Sequence, residues 1–405
     1  MWCIQSVTLN SQPSDSIWVS DGKPISTVRG PAGASFRLIV AGIGFLDITD
    51  IGHVSGGPHY WALDINGSTY WYDGQGSLQI NVQSDQSFTV VGDGNSFGGA
   101  VKPLPGIDES SIAVIGEMEA NGYIPYRGIP DGGKSKQELI DLGLQYFPYS
   151  AFSYQLALTV YDWTTADFFR MDLFNLYCYS LVQGKPLASA QIASAIWTAN
   201  WPPYVPSNAD FMNSFMMTPA DSLEDVTKQL ALVEGDLRAF VSALAEVTQA
   251  AKYSLPRTSV LANPQLFSGQ VAISNLGESA FPVYFEEYPG NEGPVGIKME
   301  LALADALSGF MAPGSELTLK TFLSWTDSLD DAMHYQNGIV LEMNPSGDGQ
   351  TWGDGITHIT QLSDQSNKTE YTASPGAKVR VESYENQVVN GKDVTVIKLT
   401  YLGLD

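Results

Sequence analysis

Between residues 218 and 247 the apolar side chains Leu223, Val226, Leu230, Val233, Leu237, Phe240, Leu244 and Val247 recur at steps of three and four. That is the period of one face of an α-helix. The run therefore predicts one long helix with a single apolar stripe along it. Thr218-Pro219-Ala220-Asp221 predicts the start. Thr218 can cap, Pro219 suits the first helical position, and Asp221 suits the positive end of the helix dipole. Upstream, residues 160–181 (VYDWTTADFFRMDLFNLYCYSL) are too apolar for a surface helix and are expected inside a helical bundle.

Strand patterns flank this helical region on both sides. Leu78, Ile80 and Val82 alternate with Ser77, Gln79 and Asn81, the period of a half-buried strand. Asn66-Gly67 between HYWALDI and STYWYD predicts a hairpin. Strand-like runs at about ten-residue spacing favour a small sandwich or barrel. The stretch DGNSFGGAVKPLPGIDESS loses periodicity and predicts a linker. After residue 264 the runs GIVLEM, ITHITQL, KVRVESY and DVTVIKLTYL are strand-like, with Asn390-Gly391 as a hairpin turn and MELALADALSGF as one intervening helix. The expected organisation is multidomain: a β-rich, sandwich-like accessory domain at 1–95, a linker at 96–130, a helical region at 131–262 and a β-rich core at 263–405. Helices followed by strands make the last two parts α+β.

A net charge of -24 over 405 residues repels phosphate backbones and anionic lipid, which argues against nucleic acid and membrane surfaces as main partners. No run of about 18 apolar residues predicts a membrane span. The N-terminal MWCIQSVTLNSQ lacks a basic head before an apolar stretch. The expectation is a soluble chain, secreted only if it uses a route without a standard signal peptide. Cys3 and Cys178 are too few for a disulfide framework. His53, His59, His334 and His358 form no metal-binding pattern, so no metal site is expected.

Three segments carry the chemistry. They are Gln265-Leu266-Phe267-Ser268-Gly269-Gln270, then Phe322-Leu323-Ser324-Trp325-Thr326, then Lys368-Thr369-Glu370 followed by Ser374-Pro375-Gly376. Their order and spacing resemble the mono-ADP-ribosyltransferase family of toxins and related enzymes. In that family a strand ending in aromatic-Arg-Gly precedes a Phe-x-Ser-Thr-Ser strand, and a Glu/Gln-x-Glu turn leads into a strand with a Pro-Gly turn. The resemblance covers roughly residues 215 to 402. It implies an ADP-ribosyltransferase-like core, NAD as substrate and a protein as acceptor. It also implies that Glu370 is the catalytic glutamate, with Ser324 and Thr326 at the first and third positions of the Ser-Thr-Ser strand. Ser268-Gly269 falls where Arg-Gly is expected, and Lys368 falls where the family has Glu or Gln.

The chemistry requires such residues. Breaking the nicotinamide–ribose bond builds positive charge at the anomeric carbon, and a fixed carboxylate beside that carbon favours the charged transition state. A planar guanidinium suits the pyrophosphate, which Ser268 cannot hold by charge. Of the seven arginines, Arg257 lies just upstream in Leu255-Pro256-Arg257, and Arg127 lies in Tyr126-Arg127-Gly128, itself an aromatic-Arg-Gly. Both readings stand. Lys368 leaves the acceptor residue open.

Other readings use the same residues differently. Water in place of the acceptor gives an NAD glycohydrolase. With arginine absent at 268 and lysine present at 368, the fold can also serve as a degenerate binding or scaffold protein. The front aromatics Tyr60, Trp61, Tyr70, Trp71 and Tyr72 suit a glycan or partner surface, although strand alternation sends about half of them inward.

Overall fold

In a computed structural model of the chain, the described residues begin with strand segments between 2 and 100. They continue with 102–167 apart from 104, 125, 127–131 and 148–149, then 170, 188–199, 205–255, 258, 265–269, 313–319, 322–336, 339–346 and 352–404. Arg127, Arg257 and the helix expected over MELALADALSGF lie outside them.

The front of the chain is a series of antiparallel strands: β1 (Trp2–Val7), β2 (Leu9–Asn10), β3 (Gln12–Pro13), β4 (Ile25–Arg29), β5 (Ser35–Val40), β6 (Gly44–His53), β7 (Trp61–Ile65), β8 (Ser68–Tyr72), β9 (Leu78–Val82), β10 (Ser87–Gly92) and β11 (Asn95–Ala100). One sheet has the order β1-β9-β10-β11 and another runs β4 to β8 in sequence order. The hairpin at Asn66 has φ 51° there and pairs Ile65 with Ser68. Phe45, fully buried, packs edge-on against Tyr253 at 5.5 Å, and Lys102 forms an ion pair with Asp354 at 2.9 Å. The front strands therefore touch the rest of the chain at these points.

Within 96–130 the structure holds the end of β11 and a helix, α1 (Glu109–Ala120). Asp108 caps it by accepting from the Ser110 amide at 2.8 Å. Its buried side is only Ser111, Ile115 and Met118. So short an apolar stripe among Gly, Ser and Glu gives little periodicity to read. Then come α2 (Lys136–Tyr146), α3 (Ser153–Asp162) with a π-turn at Trp163–Asp167, α4 (Ser189–Thr198), α5 (Ala209–Ser214) and the 32-residue α6 (Leu223–Ser254).

In α6 most of the predicted stripe is the buried face: Val226, Leu230, Leu237, Phe240, Leu244 and Val247 are buried and Val233 packs partly buried against the core, whereas Leu223 in the first turn is exposed. Burying each such side chain stabilises the fold by about 1.5–3 kcal/mol. The start differs from expectation. Ser222, not Thr218, is the cap, accepting from the Asp225 amide at 3.1 Å, while Thr218 is held by Gln229. Ser222 places Glu224 and Asp225 in the first turn, where acids favour the dipole.

The final part contains β12 (Leu266–Gly269), β13 (Glu316–Thr318), β14 (Leu323–Trp325), α7 (Leu329–Tyr335), β15 (Ile339–Asn344), β16 (Ile356–His358), β17 (Tyr371–Ala373), β18 (Ala377–Val389) and β19 (Lys392–Leu404). It forms a five-stranded sheet, β12-β15-β19-β18-β13, and a three-stranded sheet, β14-β17-β16. β15 and β19 run parallel, and the other pairs are antiparallel. Asn390 and Gly391, both at positive φ, make the tight β18–β19 turn. A backbone bridge between Phe267 and Thr326 joins the two sheets. One apolar core runs from the helices into both sheets: Trp163 meets Phe322 edge-on at 6.0 Å, directly before β14.

The run ITHITQL is not one strand. β16 ends at His358, and the chain turns at 360–362 into a loop that returns at Glu370.

Candidate active site

β14 and β17 pair with Leu323 opposite Ala373, Ser324 opposite Thr372 and Trp325 opposite Tyr371. Trp325 and Tyr371 are buried, which turns Ser324 outward. Glu370 immediately precedes β17 and is fixed by its backbone. Its amide donates to Thr360 Oγ1 at 2.8 Å, and its carbonyl accepts from the Ile359 amide at 2.8 Å. Both ends of the 360–369 loop are thus tied together at Glu370. The side chain then lies diagonal to Ser324, whose hydroxyl donates to Glu370 Oε1 at 2.7 Å.

The second carboxylate oxygen accepts from the Ser363 hydroxyl. Withdrawal from water, followed by the charge of Asp364, pushes the Glu370 carboxyl up to about 7, against the downward pull of the two serine hydroxyls. Asp364 is itself raised to about 6 by burial. Around neutral pH this carboxylate changes charge in response to small changes beside it.

A buried histidine supports the loop from beneath. His358 Nε2 lies 3.0 Å from Thr360 Oγ1, and its ring meets Tyr371 edge-on at 4.7 Å. Burial holds the imidazole down to about 4, so it is neutral at physiological pH. Tyr371 donates to Asp327 Oδ2 at 3.2 Å. From the helical side Lys252, fully buried near the end of α6, donates to Ser374 Oγ just after β17. Its ammonium stands 5.2 Å from the Phe322 ring centroid, and burial holds it well below the usual lysine range.

The remaining residues singled out by sequence divide into two groups. Ser268 comes to the site: its hydroxyl donates to the Ser324 carbonyl at 2.6 Å. Gly269 packs against α7, and a Cβ there would stand 2.0 Å from the Ala332 carbonyl oxygen. Glycine lets the end of β12 approach that closely. Thr326 Oγ1 accepts from the Ser328 amide at 3.2 Å, so its hydroxyl shapes the turn into α7. Lys368 turns onto Tyr335, with Nζ 3.1 Å from the phenol oxygen and 5.0 Å from the ring centroid. Ser363, Asp364 and Thr360 were not singled out by sequence. Their only signal was position in the polar loop before Glu370.

No protein-family model matches the chain, and no curated protein is similar to it. Among solved structures it is similar to the Clostridium limosum C3 exoenzyme, with 12% identity over 58% of this chain and 93% of that one, at a TM-score of 0.30. It is also similar to the Salmonella SpvB ATR domain, with 11% identity over 58% of this chain and 98% of that one, at a TM-score of 0.28. A third is the ADP-ribosyltransferase HopU1 of Pseudomonas syringae pv. Tomato, with 11% identity over 40% of this chain and a TM-score of 0.25; the chain spans 56% of that protein.

Proposed function

We propose that the chain is an NAD-dependent mono-ADP-ribosyltransferase with Glu370 as its catalytic carboxylate. The observation that carries this reading is the Ser324–Glu370 contact, which joins a strand and a loop end far apart in sequence around one partly buried acid. NAD enters as a substrate. Its nicotinamide ring is cationic, and as it leaves, positive charge passes to the ribose. A carboxylate next to that sugar stabilises the developing charge more than the ground state. Ser324 holds one carboxylate oxygen in place, so the group meets the substrate already oriented.

A cation arriving beside Glu370 also favours its ionised form. NAD binding near neutral pH is therefore coupled to proton release. The pyrophosphate charge is assigned to Arg127 or Arg257, since Ser268 has none to offer. The acceptor is a protein side chain, approached past Lys368 and Tyr335; water in its place gives a glycohydrolase. The front β-rich region serves as a docking or delivery module.

Incubating the full chain and a cell extract with NAD labelled on the adenylate tests the proposal. Label appears on protein with wild type and is absent with Glu370→Gln. Equal labelling by both would overturn the assignment. A chain that neither labels protein nor consumes NAD would be a scaffold that keeps only the shape.

A further inference from the structure

Ser363 stands between two carboxylates. Its hydroxyl contacts Glu370 Oε2, and the same oxygen lies 3.3 Å from Asp364 Oδ1. A serine hydroxyl has one proton to donate, so it can satisfy only one of them at a time. Asp364 is placed by its backbone. Its amide donates to Thr164 Oγ1 at 2.9 Å, and its carbonyl accepts from the Gly133 amide at 3.1 Å. Gly132 is pressed against that carbonyl so closely that a Cβ would stand 2.5 Å from the oxygen. Thr164 lies in the π-turn after α3, and Gly132 and Gly133 lead into α2. The second carboxylate is therefore fixed to the helical layer, and reaches Glu370 through the oxygen that Ser324 leaves free.

We propose that Asp364, acting through the shared Ser363 hydroxyl, is a positioning residue that makes Glu370 hold its proton until a cationic group arrives beside it. This rests on the reading of Glu370 as the working carboxylate. Two ionised carboxylates around one hydroxyl repel each other, and one proton kept between them relieves that repulsion. A cation beside Glu370 supplies the missing balance, and the proton passes to solvent. The charged and titratable groups around the pair are few among the described residues. Lys134 faces Asp364 from the segment before α2. His358 lies beneath the loop with Asp327 facing it. Lys368, two residues before Glu370, is turned onto Tyr335. The upward displacement of both carboxyls agrees with the geometry.

The test is a carbon-13 NMR titration of the full chain labelled at glutamate carboxyls, with Glu370 assigned by the signal lost in Glu370→Gln. In wild type this carboxyl titrates near neutrality. Asp364→Asn, which keeps the size and backbone contacts of the aspartate, moves the midpoint down by about one pH unit. Asp364→Ser, which also removes the charge and keeps a short polar side chain, moves it down likewise and serves if Asp364→Asn does not fold. An unmoved midpoint in either folded variant overturns the proposal. The readout needs no turnover, so an inactive wild type would sink the transferase reading and leave the role of Asp364 to be decided by the titration. In an active protein the acid limb of the pH–rate profile moves with the midpoint, whereas a merely structural role would lower the rate equally at every pH.

Discussion

The hydroxyl of Ser324 donates to Glu370 Oε1 across 2.7 Å, joining residues 46 positions apart in the chain. A hydrogen bond to a charged acceptor contributes about 1.5–3 kcal/mol. Ser324→Ala is therefore expected to lower kcat/KM for NAD by about 10- to 100-fold. Because the lost bond favoured the ionised carboxylate, the acid limb of the pH–rate profile also moves upward. Steady-state kinetics across pH 5 to 9 check both effects.

Glu370 should cost stability at high pH. Its folded value of about 7 lies above its ordinary 4.5, so the folded state binds the proton more tightly than the unfolded state. The stabilisation from that bound proton is complete below the ordinary value and is lost as pH rises through about 7. Glu370→Gln is therefore expected to raise stability at pH 8 by on the order of 1–2 kcal/mol, with little change at pH 4.5. His358 has the opposite sign. Its folded value of about 4 lies below the ordinary 6.5, so stability rises with pH through that window. Denaturant melts of wild type and Glu370→Gln at the two pH values isolate the carboxylate.

Gly269 has no room for a side chain, because Ala332 O and Gln336 N would stand 2.0 and 2.9 Å from its Cβ. Gly269→Ala should destabilise by about 2–3 kcal/mol, measured by urea denaturation. Ser268 would shift with it, and with Ser268 the strand that carries Ser324. Activity is expected to fall further than stability alone explains.

The proposed assignment of the pyrophosphate to Arg127 or Arg257 is tested by comparing Arg127→Lys with Arg257→Lys. Lysine keeps the charge and loses the planar fork. The variant at the true position should raise KM for NAD by about tenfold or more, and the other should leave it unchanged.

Much of the framework was legible because it depends on periodicity. The stripe from Val226 to Val247 faces the core as its spacing requires, with Val233 partly buried, while Leu223 in the first turn is exposed. Asn390-Gly391 turns where two strand patterns meet, with φ 52° and 76°. Features that depend on tertiary contact were not legible. Helix α1 lacks a long stripe, and Ser222 rather than Thr218 caps α6 because the neighbouring Gln229 occupies Thr218. The order of Ser268, Ser324 and Glu370 could be read, and the structure brings the three together. The partners of Glu370 could not. Ser363 and Asp364 look like ordinary loop residues until the contacts of Thr164 and Gly133 fix Asp364 beside the site.

The most direct measurement is nicotinamide release from NAD at pH 8 by purified wild type and Glu370→Gln, alongside melts showing both folded. The account predicts release by wild type and a loss of at least about 100-fold in the variant. Release that survives the substitution undiminished would contradict it.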